Sequence, residues 1–341
     1  MSIDTQPRSI DAAAAADRLI GASEIIITTH ARADGDAIGS ALGAARALRL
    51  AGRNARAYFH EPVPPRYSDL PDAHTALVWP TGDPEALRAA FQSADLLLIV
   101  DTCAAGQLDG IVPVLAESSV RKLAIDHHVT RDPIVDEILV DTSAGACTQL
   151  IARVCDAAGW RIDPELATLL FAGLATDTGW FRHSNADAVV FATAARLIEA
   201  GARADVQYER LYLTEPLARV RLMGAVMSSF ELRAHGRLAV IRVTREMLSR
   251  CEASSGMTEE VINETHRTGS VIASVMFVEP ETPDEPVRVS FRAKRDINVA
   301  KVAQRFGGGG HACAAGAKLR ETFDNAVRRV VEALEHELSS S

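Results

Sequence analysis

The sequence predicts an α/β protein: an N-terminal domain built on a parallel sheet, followed by a smaller α/β domain. Apolar runs at 24–28, 95–100 and 121–125 are too short for helices and have the unbroken character of strands buried on both faces. Helical patterns alternate with these runs up to about residue 200, the signature of a parallel sheet. A length of 341 residues allows two or three domains, each with its own core. The expected division is 1–200, a helical connector at 201–225, and a second domain at 226–341.

Residues 1–9 carry no periodic pattern and are expected to be disordered, whereas 10–20 reads as a helix feeding the first strand. A helix rich in Ala and Leu over 37–51 ends at Gly52, and its small residues suit close packing on the sheet. A strand at 55–59, a proline-rich loop at 62–71, a short strand at 76–79 and a helix at 84–92 follow. Beyond the second apolar run, 107–117 reads as helical, 138–140 as a strand and 144–158 as a helix. Pro164 suits the first turn of an apolar helix over 165–175, which breaks at 176–184 before another helix at 186–200. In the second domain the pattern gives strands at 229–233, 238–244, 270–278 and 287–292, and helices around 259–265, at 298–306 and at 321–338. A glycine run, Gly307 to Gly310 with His311, and a short apolar segment precede the last helix.

Composition narrows the function. With 48% hydrophobic and 24% charged residues the chain reads as an ordinary soluble globular protein, and no segment has the character of a membrane span or signal peptide. Five cysteines without a C-x-x-C pair favour a reduced, cytoplasmic setting over a disulfide framework or structural zinc. A net charge of −9 argues against a broad face for long duplex nucleic acid, but not against a small phosphorylated substrate.

Chemistry concentrates where strands end. After the first run come His30, Asp34 and Asp36, with Gly35 and Gly39 easing the turn; after the second comes Asp101; after the third come Asp126, His127 and His128. The crevice outside the carboxyl ends of parallel strands is where ligands bind. Asp36 or Ser40 also suits an ordinary helix cap, but three strands ending in Asp or His at one rim point to a shared ligand. Asp177, directly after an apolar helix, is costly if unpaired and is expected to face a cation, although an Asp also suits an exposed turn there. Imidazole with carboxylate suits Mn²⁺ best, with Mg²⁺ or Co²⁺ as substitutes. So many ligands imply two ions, an arrangement that serves phosphoryl transfer when the ions stand roughly 3.5–4 Å apart.

The main positive concentration is Arg288, Arg292, Lys294, Arg295, Lys301 and Arg305, against a single acid, Asp296. The glycine run after it suits an anion nest, with His311 adding a donor, and equally suits a flexible loop. Cys103 and Cys313 read as small packing residues.

In order, His30-x-x-x-Asp34-Gly-Asp36, Asp101, Asp126-His127-His128 and Asp177-Thr178-Gly179 resemble the four motifs of the DHH phosphoesterase superfamily. Gly307 to His311 followed by Ala314-Ala315-Gly316 resembles the signature of its associated C-terminal domain. The resemblance spans nearly the whole chain and is greatest to the stand-alone oligoribonuclease branch, whose members also hydrolyse 3′-phosphoadenosine 5′-phosphate (pAp). It implies an active site in the interdomain cleft. His30, Asp34 and Asp101 would hold one Mn²⁺, and Asp36, Asp101, His127 and Asp177 the other, with Asp101 bridging. His128 would contact the scissile phosphate and help protonate the leaving group. Arg292, Gly308, Gly309, Gly310 and His311 would grip the far part of the substrate. Family members often carry Pro before the first Asp of the motif, where this chain has Ala33.

The function expected is Mn²⁺-dependent hydrolysis of short RNA oligonucleotides, pAp or dinucleotides in the cytoplasm, without long duplex nucleic acid or membrane partners; a homodimer is compatible with it. The alternatives are a cyclic- or linear-dinucleotide phosphodiesterase and a non-enzymatic nucleotide-binding regulator. The mark of a regulator would be lost ligands, and none is missing.

Overall fold

The computed structural model describes residues 6–339 other than 259, 283, 295 and 296, and His311 by its backbone alone. The chain forms two compact units that divide between Thr214 and Glu215.

The first unit runs β1 (Arg8–Ser9), α1 (Ala12–Ile20), β2 (Glu24–Thr28), α2 (Gly35–Leu50), β3 (Asn54–Phe59), β4 (Leu77–Val78), α3 (Pro84–Gln92), β5 (Leu96–Val100), α4 (Val112–Glu117), β6 (Arg121–Asp126), β7 (Glu137–Val140), α5 (Cys147–Ala157), α6 (Pro164–Asp177), α7 (Ala188–Glu199) and α8 (Ala204–Tyr212). Its strands form one sheet in the order β1-β7-β6-β5-β2-β3-β4, with every pair parallel. The unbroken apolar runs have a direct cause. Ile25 and Ile27 of β2 and Leu96, Leu98 and Val100 of β5 pack with α1, α2, α5 and α6. Ile26, Leu97 and Ile99 pack on the other face with Trp79, Phe91 and Leu115. Both faces are dry, so neither strand shows polar alternation.

Differences from the sequence expectation are local and physical. Residues 8 and 9, expected to be disordered, extend the sheet by pairing with Glu137 and Ile138 of β7. The helix expected over 107–117 is a 3₁₀ turn at Ala105–Gln107 and then α4, separated by Gly110 with φ +78°. The helix expected to stop at 175 continues to Asp177. The residues expected as a connector form α8 at the end of the first unit and α9 at the start of the second.

The second unit runs α9 (Leu217–Ser229), β8 (Glu231–Arg233), β9 (Leu238–Val243), α10 (Arg245–Arg250), β10 (Ala273–Val278), β11 (Val287–Ala293), α11 (Val299–Arg305), β12 (Gly309–His311), β13 (Ala314–Leu319) and α12 (Phe323–Ser339). Its mixed sheet has the order β12-β13-β11-β10-β9-β8, in which β9 and β10 are parallel and the other pairs antiparallel. Of the helix expected around 259–265, residue 259 lies outside the described residues and Val261–Arg267 is a 3₁₀ segment. The glycine run, read as a nest or flexible loop, instead supplies the edge strand β12, and the apolar segment after it is β13. No helix among the described residues is long and apolar enough to cross a membrane.

The contact that positions the site is the packing of α2 on α6. A Cβ on Gly39 would stand 2.6 Å from the Leu169 carbonyl oxygen, and one on Gly173 would stand 2.7 Å from Asp36 Oδ1. Gly43, one turn along, meets only side chains: the flexible end of Leu170 at 3.1 Å from its hypothetical Cβ, with Leu166 and Leu169 at ordinary contact distance. Gly39→Ala is therefore expected to destabilise the protein by about 1–3 kcal/mol through overpacking against backbone. Gly43→Ala should be near neutral, since a gain in helix propensity of about 1 kcal/mol offsets the crowding. Urea unfolding of the two variants checks this contrast.

Candidate metal centre

Asp34 stands before α2 with extended backbone, and its Oδ1 accepts from the amides of Asp36 (3.0 Å) and Ala37 (3.1 Å). The cap is thus Asp34, and neither Asp36 nor Ser40 takes that role. Asp36 points inward from the first turn of α2 and is buried. Its carboxylate accepts from the Cys147 amide at 2.5 Å and the Thr148 amide at 3.0 Å. These are the first amides of α5, whose own cap residue, Ala146, offers no side-chain acceptor. Asp36 therefore caps α5 from a distance, where the helix dipole favours an anion.

Asp101 follows β5 and adopts φ +60°, a left-handed conformation that is uncommon outside glycine but better tolerated by Asp and Asn than by most residues. Its amide donates to the Ile125 carbonyl at 3.0 Å, which fixes the strand end against β6. His127 places Nδ1 3.1 Å from the Ala144 carbonyl. A proton on Nδ1 satisfies that contact and leaves the Nε2 lone pair facing the cluster. His128 is held by Asp126, whose Oδ1 accepts from the His128 amide (3.1 Å) and from Nδ1 (2.8 Å).

These side chains meet. His30 Nε2 lies 3.5 Å from Asp101 Oδ2 and 3.9 Å from Asp34 Oδ1. His127 Nε2 lies 3.4 Å from Asp101 Oδ1, 3.7 Å from Asp177 Oδ2 and 3.9 Å from Asp36 Oδ2. Asp101 thus turns one oxygen toward each histidine. His30, Asp34 and Asp101 form one group with converging ligand atoms; Asp36, His127 and Asp177 form a second; Asp101, His127 and His128 form a third. The separations are long for hydrogen bonds, but suit donors around a cation bound at about 2.0–2.2 Å. Asp101 Oδ1 and His127 Nε2 are buried with no hydrogen-bond partner among the described residues. Buried polar atoms of this kind normally have partners, and a divalent cation supplies one for each. The donor set and the orphaned atoms together fit metal.

The charges press on one another. Burial, with the nearby Asp101 and Asp177 carboxylates, pushes the Asp36 carboxyl well up. Burial likewise pushes Asp177 up to about 6, against the pull of His127. Burial disfavours a charged His127, but Asp101 and Asp36 outweigh it and push this imidazole up to about 10. Burial opposes ionisation of Asp101, yet His127 and His30 hold its carboxyl below the usual range. The hydrogen bond to Asp126 raises His128.

The N-terminal residues expected to serve the site, His30, Asp34, Asp36, Asp101, His127, His128 and Asp177, lie in this cluster. Arg292, Gly308, Gly309 and Gly310 belong to the second unit; the His311 side chain, Arg295 and Asp296 lie outside the described residues. Cys103 is buried, and burial pushes its thiol up to about 12, as suits a packing residue; Cys313 is exposed and packs no core. Sequence reasoning missed His60, whose ring nitrogens face the Asp109 carbonyl (2.9 Å) and the Thr29 carbonyl (3.1 Å), joining the His30 segment to the loop after β5. It also missed Asn185, whose Nδ2 donates to the Gly145 carbonyl at 3.1 Å and lies 3.4 Å from the Asp177 carbonyl. Neither has a local sequence pattern that marks it.

Residues 24–174 match the DHH family, N-terminal domain, and residues 243–340 match the DHHA1 domain. The chain is 31% identical to the bifunctional oligoribonuclease and PAP phosphatase NrnA of Thermus thermophilus, over 92% of this chain and 90% of that protein. It is 26% identical to the protein of the same name from Bacillus subtilis, over 89% and 91% of the two chains. In fold it resembles an exopolyphosphatase-related protein from Bacteroides fragilis, with a TM-score of 0.87 at 24% identity over 96% of each chain. Two domain matches in order, full-length similarity and the clustered ligands agree: the chain belongs to the DHH family and is a metal-dependent phosphoesterase.

Proposed function

We propose that this phosphoesterase hydrolyses very short oligoribonucleotides and removes a phosphate from pAp-like nucleotides, with two divalent cations, Mn²⁺ in the first instance, in its N-terminal unit. The observation that carries the reading is Asp101, whose two carboxylate oxygens face different histidines and so suit a ligand shared between two cation sites. His30, Asp34 and Asp101 would hold one ion, and Asp36, Asp101, His127 and Asp177 the other. Bound there, such a pair neutralises charge on the phosphoryl oxygens and acidifies water enough to attack at neutral pH.

The chain's own groups do the rest. His128 is half-exposed, and Asp126 raises its proton affinity and occupies Nδ1. That leaves Nε2 to donate its proton to the departing oxygen as a general acid. Asp36, locked to two α5 amides, keeps the second group of ligands from spreading apart through mutual repulsion. Arg292 and the run Gly308 to His311 are assigned, on the same reading, to the part of the substrate away from the scissile bond. The NrnA relatives at 31% and 26% identity support the choice of substrates.

The test is a side-by-side assay of pAp, a linear dinucleotide, a five-residue RNA and cyclic di-AMP with Mn²⁺, Mg²⁺ and Co²⁺. Turnover confined to cyclic di-AMP would replace this reading with a cyclic-dinucleotide phosphodiesterase, and tight nucleotide binding without turnover would make the chain a regulator. Asp101→Asn is expected to lower kcat by about a thousandfold or more and to cut the bound metal measured by elemental analysis. His128→Asn should lower kcat by about 10²–10⁴-fold while bound metal is retained, as loss of a general acid requires. Bound cations must displace protons, because Asp177 is pushed up to about 6 and His127 to about 10. Affinity for Mn²⁺ is therefore expected to rise between about pH 6 and pH 8, by up to about tenfold per pH unit for each proton displaced, in titrations at fixed ionic strength.

A further inference from the structure

One short turn reaches all three groups of the second cluster. Residues 144–148 lead into α5, and their carbonyls and amides serve different side chains. The Ala144 carbonyl lies 3.1 Å from His127 Nδ1. The Cys147 and Thr148 amides hold the two oxygens of Asp36. Between these, the Gly145 carbonyl accepts from Asn185 Nδ2 at 3.1 Å, and the same nitrogen donates to the carbonyl of Asp177 at 3.4 Å. Asp36 lies on α2, His127 just beyond β6 and Asp177 at the end of α6, yet each is tied to this one turn, directly or through Asn185.

The backbone that brings Asn185 back to Asp177 is unusual. Gly179, Trp180 and Phe181 have φ of +57°, +57° and +62° in succession. Two bulky residues in that region are unfavourable, because Cβ crowds the following carbonyl. They persist because the surroundings over-determine them. Thr178 Oγ1 accepts from the Phe181 amide at 3.2 Å, and the Thr178 carbonyl accepts from the amides of Arg182 and His183, each at 3.0 Å. The 144–148 turn is fixed from its other side as well. Its Gly145 amide donates to Oε1 of the buried Gln149 at 2.9 Å. A Cβ on Gly145 would stand 2.4 Å from Val190 Cγ2 and 3.2 Å from the Asn185 carbonyl oxygen, so backbone and side chain meet there without slack. Asn185 suits its place because an amide nitrogen carries two hydrogens for two carbonyls. Its Oδ1 is buried with no partner among the described residues, so the two donor contacts are what orient the side chain.

We propose that Asn185 is a positioning residue for one cation of the pair: by joining the Asp177 carbonyl to the turn that holds Asp36 and His127, it sets the spacing of those three groups. The role rests on the two-cation reading above. It belongs to one side of the centre, since among the described residues neither His30 nor Asp34 bonds to the turn or to Asn185.

Mn²⁺ titration of the metal-stripped full chain, followed by the EPR signal of free Mn²⁺, tests it. Asn185→Leu nearly keeps the size of the side chain and removes its donors. One of two binding steps is expected to weaken by about 10–100-fold, as loss of an outer partner of a metal ligand does, and the other to stay within about threefold. Asp34→Asn, in the other group, should weaken the step that Asn185→Leu spares. Gln149→Leu releases the Gly145 amide and should weaken the same step as Asn185→Leu, and the two together should have less than the product of their separate effects, because both act on one turn. Equal weakening of both steps, or no change in either, would overturn the role. Hydrogen exchange supplies a readout without metal. In metal-free Asn185→Leu the Cys147 and Thr148 amides should exchange about tenfold faster or more, while the amides of β5 keep their wild-type rates. Unchanged exchange at Cys147 and Thr148 would overturn the proposal too. A wild-type chain that takes up one ion would reject the two-cation reading, and the exchange rates would still decide whether Asn185 holds the turn.

Discussion

The close approach of α2 and α6 at Gly39 and Gly173 is the constraint on which the metal centre depends. Side chains at either position would hold the helices apart, and separation would carry Asp36, on the first turn of α2, away from Asp177, on the last turn of α6. The same contact seats Asp36 against the exposed amides at the start of α5, so three helices are registered through one carboxylate. Fold and site are not separable there. An acid of the candidate metal cluster is also the acid that completes a helix end, and the interior is packed too tightly for its place to drift.

The sheet contributes the other half. Parallel strands end side by side, so whatever follows β2, β5 and β6 is brought to one rim without any long-range recognition beyond strand pairing. Three carboxylates and three imidazoles collected in this way, joined by Asp177 from the end of α6, repel one another or share protons. Their environments divide the labour. Asp101, between two histidines, is held ionised, whereas Asp36 and Asp177, each near other acids, resist ionisation.

Much of this was legible in the sequence, for identifiable reasons. Strands β2, β5 and β6 were visible because both their faces are dry, and His30, Asp101 and His127 because chemistry after such strands has only one place to go. Asp177 was legible as a member of the cluster but not as the end of a helix: the residues after 175 lose apolar character, yet the α6 backbone continues through them. The edge strand β12 was hidden because glycine has low strand propensity and only pairing with β13 draws it into the sheet. Asp36 and Ser40 suited a helix cap by composition, whereas Asp34 caps α2 and the placement of α5 makes Asp36 cap a different helix. His60 acts through contacts 49 and 31 residues along the chain, and no local pattern announces contacts of that kind.

The left-handed backbone at Asp101 ties identity to conformation in a way that bears on how the position can vary. A branched or bulky replacement would meet a torsional penalty before any question of ligation arose, and glycine would relieve the torsion while deleting the ligand. Of the carboxylates, glutamate has the charge but a longer arm and a weaker tolerance for that torsion. Shape and valence thus narrow the choice independently, and aspartate stands where the two restrictions overlap.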